Sequence, residues 1–162
     1  MQEVFHRRFS TELGAIELAA TADALVGLEF VSDTGKPSRT SGIASGQPTV
    51  LDSAEREICE YLAGTRQVFD IPLDLGNGTA FQHEAWQGLQ GIPYGETVSY
   101  CELAHLIGRP RAARAVGNAN HHNPISIIVP CHRVIAADGS LGGYGGGLWR
   151  KKLLLELERS HR

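Results

Sequence analysis

Residues 123–135 read Asn-Pro-Ile-Ser-Ile-Ile-Val-Pro-Cys-His-Arg-Val-Ile, and no other stretch of the chain limits the fold so tightly. Ile125, Ile127, Ile128 and Val129 carry the backbone into an interior, and Pro130 then removes the N–H that a continuing strand would donate. Directly after this break stand a thiol, an imidazole and a guanidinium: Cys131, His132 and Arg133. On a regular strand adjacent side chains point to opposite faces. Cys131 and His132 can therefore cooperate only if the proline bends the backbone or a water bridges them. A lone Cys-His pair is more often a small buried thiol beside a satisfied histidine. A buried approach, a proline break and an adjacent base together describe a nucleophile on the floor of a pocket.

The rest of the chain is compatible with such a pocket. Its 162 residues make one domain or two small ones, and 42% hydrophobic against 20% charged is the balance of a soluble globular protein. No apolar run reaches the roughly 18 residues that span a bilayer, so no membrane partner is expected. Residues 1–8 lack the apolar core of a signal peptide. Cys59, Cys101 and Cys131 follow no pairing pattern and suit free thiols in a reducing cytoplasm. The net charge of −3 hides an asymmetry: residues 1–77 carry six Lys/Arg and twelve Asp/Glu, residues 78–162 nine and six. A half at −6 joined to a half at +3 fits a DNA-facing surface on the second, with modest, salt-sensitive affinity.

Apolar-rich runs at 4–10, 14–21 and 24–30, separated by turn-like breaks at 12–14 and 22–23, predict an antiparallel meander. Residues 33–48 hold almost nothing to bury and read as a mobile surface loop, in which Lys36 and Arg39 are solvated charges. Helical spacing at Leu51, Ala54, Ile58 and Leu62 predicts a helix over 51–62, with Asp52 or Ser53 as cap, Gly64 closing it and Cys59 packed as a small apolar group. A short strand is expected at 69–73, and Gly76-Asn77-Gly78 is the natural linker between domains 1–76 and 77–162.

The second half reads as helices. Thr79-x-x-Gln82 is a capping box opening 81–89, and Ser99-x-x-Glu102 is another opening 100–107. Gly108 stops that helix, Pro110 fits a first helical position, and a helix over 111–119 follows. Two short helices around Gly-Arg-Pro are a helix-turn-helix signal, though an ordinary helical hairpin has the same spacing. The second helix favours DNA. Ala112, Ala115, Val116 and Ala119 form a thin apolar stripe whose small side chains admit a nucleic-acid backbone, with Arg111 and Arg114 one turn apart. Residues 142–147 contain five glycines and Tyr144, which suits a tight fold over a flat ligand; the Gly-Lys-Ser/Thr of a phosphate loop is missing. A last helix over 148–157 is expected to turn Trp149 and 153–155 inward. Arg150, Lys151 and Lys152 near its start oppose the helix dipole and so point to a site or to phosphates.

Pro130-Cys131-His132-Arg133-Val134, preceded by Arg114-Ala115-Val116-Gly117 and Asn123-Pro124 and followed by the 143–148 glycine stretch, resembles the O6-alkylguanine-DNA alkyltransferase family. The resemblance implies an α/β fold: a small β-sheet plus helix, ribonuclease-H-like and structural in role, then a mainly helical domain with a helix-turn-helix motif. It implies double-stranded DNA with alkylated bases as partner, and a monomer that can assemble cooperatively on DNA. The implied reaction is one irreversible transfer from O6-alkylguanine, and from O4-alkylthymine, to Cys131, with no cofactor. His132 would take the thiol proton, Glu158 would orient it and Asn123 would pin the turn before the cysteine. Spacing alone does not separate Glu158 from Glu156. Arg114, Tyr100, Ala112, Ala115 and Arg133 would face DNA, with Arg114 filling the gap left by a flipped-out base and Tyr100 pressing on the target phosphate. Tyr144, Val134, Gly145, Gly146 and Lys151 would form the base pocket. Asn120, Ser126 and Gly145 depart from the family pattern, which bears on pocket size. No cysteine precedes Cys59, so the zinc ligands of some members are not reproduced and no metal is expected. Two other readings stay open: a lesion sensor that binds without reacting, and a cysteine hydrolase that needs no DNA.

Overall fold

The computed structural model describes residues 3–31 and 48–162. The loop expected at 33–48, with Lys36 and Arg39, lies outside the described residues except for Pro48. The chain divides into two compact units, Met1–Gly76 and Asn77–Arg162.

In the first unit, β1 (Phe5–Thr11), β2 (Gly14–Ala20) and β3 (Leu25–Val31) form an antiparallel sheet in the order β1-β2-β3. Gly14 adopts φ 92°, a conformation that favours glycine, and the Thr11 hydroxyl accepts from Leu13 N at 3.0 Å to close the turn. Ile16, Leu18 and Ala20 alternate inward along β2 and meet α1 (Thr49–Leu62), whose Leu51, Ala54 and Ile58 are fully buried. The helix starts two residues earlier than its apolar spacing suggests, after Pro48, and no side chain caps it. Asp52 instead pairs with Arg7 at 2.8 Å. Cys59 is exposed rather than packed, because one helical step from Ile58 turns it away from the sheet. Gly64, at φ 81°, ends the helix by donating to Tyr61 O. The strand expected at 69–73 is reduced to one bridge between Leu73 and Leu25; the N–H of Asp70 is taken at 2.7 Å by the buried carboxylate of Glu57.

The second unit contains α2 (Ala80–Gln90), β4 (Val98–Ser99), α3 (Tyr100–Leu106), α4 (Ala113–His121), a 3-10 turn (Cys131–Arg133), β5 (Val134–Ile135) and α5 (Leu148–Ser160). Both capping boxes are formed: Thr79 and Ser99 each accept from the N–H three residues on, at 3.0 Å, and Gln82 and Glu102 reach back. Ala85, Trp86 and Leu89 are buried on one face of α2, and Trp86 Nε1 donates to Ala119 O at 2.8 Å, tying α2 to α4. β4 and β5 pair in parallel, Val98 with Val134 and Ser99 with Ile135. That pairing puts the start of α3 beside the chain that leaves Cys131.

Three expectations in this unit are corrected. Pro110 opens no helix; it occupies the second position of a turn closed by Ala112 N to Arg109 O at 2.9 Å, where its fixed φ is equally at home. The helix therefore begins at Ala113, which leaves Arg111 and Ala112 outside it and removes the Arg111–Arg114 pair. Val116 and Ala119 are the buried residues of α4, while Ala115 is exposed. In α5 the inward face is Lys151, Leu154 and Glu158, one stripe at i, i+3 and i+7; Trp149 and Leu153 are exposed. No helix among the described residues is long and apolar enough to cross a membrane.

The Thr79 capping box lies on the surface, so its loss should be a local event. Thr79→Ala is expected to lower the unfolding free energy by about 1 kcal/mol, read from the denaturant midpoint at unchanged m-value.

Candidate active site

The nucleophile is set by a series of tight turns. Val129 N donates to Ile125 O at 3.0 Å, and Ile128 N donates to Ser126 O at 2.8 Å across Ile127, the one non-glycine described residue with positive φ (72°). Pro130, at φ −83° and ψ 66°, is the centre of an inverse γ-turn closed by Cys131 N to Val129 O at 2.8 Å. Asn123 holds the assembly from one side chain: Nδ2 donates to Val129 O at 2.8 Å, and Oδ1 accepts from Ile125 N at 3.0 Å. The chain then enters the 3-10 turn, so Cys131 and His132 do not alternate on a strand.

Behind the cysteine lies a buried polar cluster. His132, 0% exposed, bonds through Nε2 to Glu158 Oε2 at 2.7 Å. A carboxylate only accepts, so Nε2 carries the proton and Nδ1 the lone pair. Glu158 also accepts from Arg133 Nε at 2.8 Å, Arg133 Nη2 at 3.0 Å and Gly95 N at 3.1 Å. Arg133 Nη1 donates to Ile92 O at 2.7 Å. Arg133 is thus a buried partner of Glu158 and presents no exposed guanidinium to DNA. Glu156, which spacing could not set apart, points to solvent. Lys151 is also fully buried, its Nζ donating to the carbonyls of Val134 (2.6 Å), Leu141 and Gly143 (3.1 Å). It therefore fastens the glycine loop to β5, and this explains a cation in the first turn of α5.

A cavity of about 310 Å³ opens over the cysteine, lined by Tyr100, Gly117, Asn120, His121, Cys131, Gly143, Tyr144 and Gly145. Its walls are flat and small, as a planar ligand requires. Gly142, at φ 71°, runs against Tyr100: a Cβ there would lie 3.0 Å from the phenol oxygen. Tyr100, assigned from the sequence to a phosphate contact, is a wall of this cavity. Tyr144 and Gly145 line it, whereas Val134, Gly146 and Lys151 are not among its lining residues. Arg114 and Ala115 are exposed on α4, with Arg114 three residues before Gly117 and seven before His121, on the ridge that leads to the opening.

Burial pushes the Cys131 thiol up, and the Asn123 side chain and the positive charge of Lys151 pull the other way. Burial holds the His132 imidazole below the ordinary histidine range, opposed by its bond to Glu158. Burial also lowers Lys151 to about 8. The site therefore rests as a neutral thiol beside a neutral imidazole. Gly117 and His121 escaped the sequence reading as cavity residues, whereas Asn120 was noted there for its bearing on pocket size and Gly143 as part of the glycine stretch. The signal was present: Gly117, Asn120 and His121 stand at i, i+3 and i+4, one face of α4, next to the stripe buried in the core. No group of three or more His, Cys, Asp or Glu among the described residues is placed to hold a metal ion.

Residues 80–160 match the family model described as 6-O-methylguanine DNA methyltransferase, DNA binding domain, and residues 4–75 match its ribonuclease-like domain. A methylated-DNA–protein-cysteine methyltransferase of Mycolicibacterium paratuberculosis is 51% identical over 96% of this chain and 93% of its own. The crystal structure of Mycobacterium tuberculosis O6-methylguanine methyltransferase superposes with a TM-score of 0.85 at 49% identity, covering 99% of this chain and 95% of that one. The M. tuberculosis OGT in complex with DNA gives the same TM-score at 47% identity over 97% of this chain and 94% of that one. The two matched domains and this degree of identity over almost the whole length make the chain a member of the O6-alkylguanine-DNA alkyltransferase family.

Proposed function

We propose that this protein repairs alkylated DNA by direct reversal, moving the alkyl group of O6-alkylguanine onto Cys131 Sγ once per molecule. The observation that carries this reading is a buried thiol at the floor of a flat cavity, backed by the His132–Glu158 pair, in a unit that matches a DNA-binding domain. A base inside a duplex cannot reach such a thiol, so the damaged nucleotide is flipped out into the cavity.

In the transfer, the Cys131 proton passes to His132 Nδ1, directly or through one water, and Sγ attacks the alkyl carbon. The S–C bond forms as the C–O6 bond breaks. The guanine leaves with the electron pair and takes up one proton, so a thiol and an O6-alkylguanine become a thioether and guanine. Glu158 keeps the imidazole in the accepting tautomer and stabilises the imidazolium. Asn123 and Lys151 stabilise the developing thiolate. Tyr100, Tyr144 and the 143–145 backbone enclose the base. Arg114, exposed on the ridge leading to the opening, enters the duplex where the base has left and faces the orphaned cytosine. O4-alkylthymine presents the same bond to the same sulfur and is the second substrate. A thioether has no easy hydrolytic route, so the reaction ends there.

Intact-protein and peptide mass spectrometry after incubation with a duplex bearing one O6-methylguanine should find a single added methyl on the Cys131 peptide. Cys131→Ala and undamaged DNA should give none; binding without a mass change would leave a lesion sensor. Arg114→Ala is expected to slow transfer from the duplex by more than about tenfold while leaving reaction with free O6-methylguanine base within about twofold, because only duplex substrate needs flipping. The pH profile follows from His132. Its folded pKa lies below the ordinary value of about 6.5, so the base form persists as pH falls through that value. The single-turnover rate should not decline as pH falls from about 8 to about 6.5, a range in which Lys151 gains its proton, and should fall only below it. A midpoint at or above 6.5 would assign the proton to a solvated group.

A further inference from the structure

A flipped base brings its sugar and phosphates with it, and these stay at the rim of the cavity while the base goes in. Of the residues that line the cavity, only His121, Gly143 and Gly145 are exposed. The two glycines have no side chain, so among the lining residues His121 alone presents one at the rim. Its imidazole faces the glycine loop across the opening: a Cβ on Gly145 would stand 3.9 Å from Nδ1. His105, His122 and His161 each bond through Nδ1 to the carbonyl four residues back. Neither ring nitrogen of His121 is hydrogen-bonded among the described residues. Facing His121 are His122, with ring centroids 5.6 Å apart, Tyr100 from α3, Cys131 from the 3-10 turn and Tyr144 from the glycine loop. Arg114 stands seven residues back on α4, and Arg150 is fastened to Gly146 O at 2.7 Å. None of these is a carboxylate, so an imidazolium at the rim has no anion among them to pair with.

Resting on the proposed transfer reaction, which brings a flipped nucleotide to this cavity, we infer that His121 is a phosphate-binding residue. In its protonated form it donates a hydrogen bond to one of the two phosphates that flank the flipped nucleotide. Hydrogen bonds between a cationic donor and an anionic oxygen are roughly twice as strong as neutral ones. Tyr100, assigned to a phosphate by the resemblance, turns its oxygen onto the glycine loop instead, 3.0 Å from where a Gly142 Cβ would stand. Gly117 lies between Arg114 and His121 on one face of α4 and has no side chain, so a strand can cross the helix there. Arg114 then occupies the gap in the duplex, and His121 holds the strand that has left it. Histidine changes charge between about pH 5 and 8, so this hold strengthens as pH falls. The sense is opposite to that of the transfer step, which needs His132 as a neutral base.

The test measures binding to a duplex with one O6-methylguanine, using Cys131→Ala so that the lesion stays intact, alone and combined with His121→Gln or His122→Gln. Salt is varied at about pH 5.5 and at about pH 8. At the lower pH, His121→Gln should weaken binding at least about threefold and reduce the slope of log K against log salt by about 1, the loss of one phosphate contact. At the higher pH it should change neither, and His122→Gln should leave the slope unaltered throughout. Replacing one of the two flanking phosphates by methylphosphonate should abolish the effect of His121→Gln, and replacing the other should not. With Cys131 present, His121→Gln should leave reaction with free O6-methylguanine base within about twofold of wild type, since that substrate has no phosphate. An unchanged slope in His121→Gln at the lower pH would overturn the inference. So would an effect that survives both methylphosphonates, or an equal loss of reaction with the free base, which would mark a residue that touches the base. Failure of wild type to transfer from the duplex would sink the proposed function itself; the slope is read without transfer, so the two failures are distinct.

Discussion

One buried carboxylate organises the second unit. Glu158 accepts four hydrogen bonds, from the imidazole, from two nitrogens of Arg133 and from the backbone at Gly95. These bring together α5, the 3-10 turn and the segment after α2. Taking a carboxylate and a guanidinium out of water is unfavourable by several kcal/mol each, and only near-complete pairing offsets that. The pairing here is nearly complete: Arg133 spends its remaining fork on Ile92 O. The pair is a poor source of net stability, yet removing either partner would strand the other and cost about 3–5 kcal/mol. Its value is geometric. It fixes the His132 tautomer and the direction from which the imidazole faces the cysteine.

The backbone that carries Cys131 is held by a second, independent restraint. A β-branched residue at φ 72° is costly by about 1–3 kcal/mol and persists only where the surroundings over-determine it. Ile127 is buried, so its side chain contributes apolar burial against that strain. Asn123 locks the turns on either side through one carboxamide. The β4–β5 pairing then fixes where the chain goes next and brings Tyr100 to the cavity. The strain and the side-chain lock act within residues 123–131, while the short ladder ties Val134 and Ile135, just after that stretch, to residues 36 positions earlier in the chain.

The parts of this architecture that were legible in the sequence are those whose causes are local. The two capping boxes are closed by bonds between residues three apart, and the meander follows from period-two burial and a glycine turn, so spacing alone predicts them. Cys131 stood out through its proline break and Tyr144 through the glycine stretch around it, whereas the role of Asn123 came only with the family resemblance. What spacing could not show is where a charge turns inward. Arg133 and Lys151 look like surface cations until Glu158 and three carbonyls, 25 and 8–17 residues away, are known to receive them. The expected inward Trp149 failed for the same reason: hydrophobicity assigned the face of α5 to the tryptophan, while the unpaired carbonyls of the glycine loop required the lysine. Pro110 fits a helix start and a turn equally well, and only the Ala112–Arg109 bond decides between them.

The resting charge state follows from these restraints and bears on how a protein that reacts once can wait. A thiol activated to thiolate in the free protein would react with any small electrophile or oxidant that reached it. Burial opposes this at Cys131 by raising its pKa, and opposes it again at His132 by keeping the imidazole neutral and available. The groups that favour the thiolate, Asn123 and Lys151, are already in place, so little reorganisation is needed once a substrate carbon lies against the sulfur. Cys59 and Cys101 sit exposed and outside the cavity, where no such arrangement protects or activates them. Reactivity is thus tied to occupation of the cavity rather than to the thiol alone. In the proposed mechanism a flipped base would displace water from around the sulfur, and the proton would move to His132 only when the alkyl carbon is there to react with the sulfur.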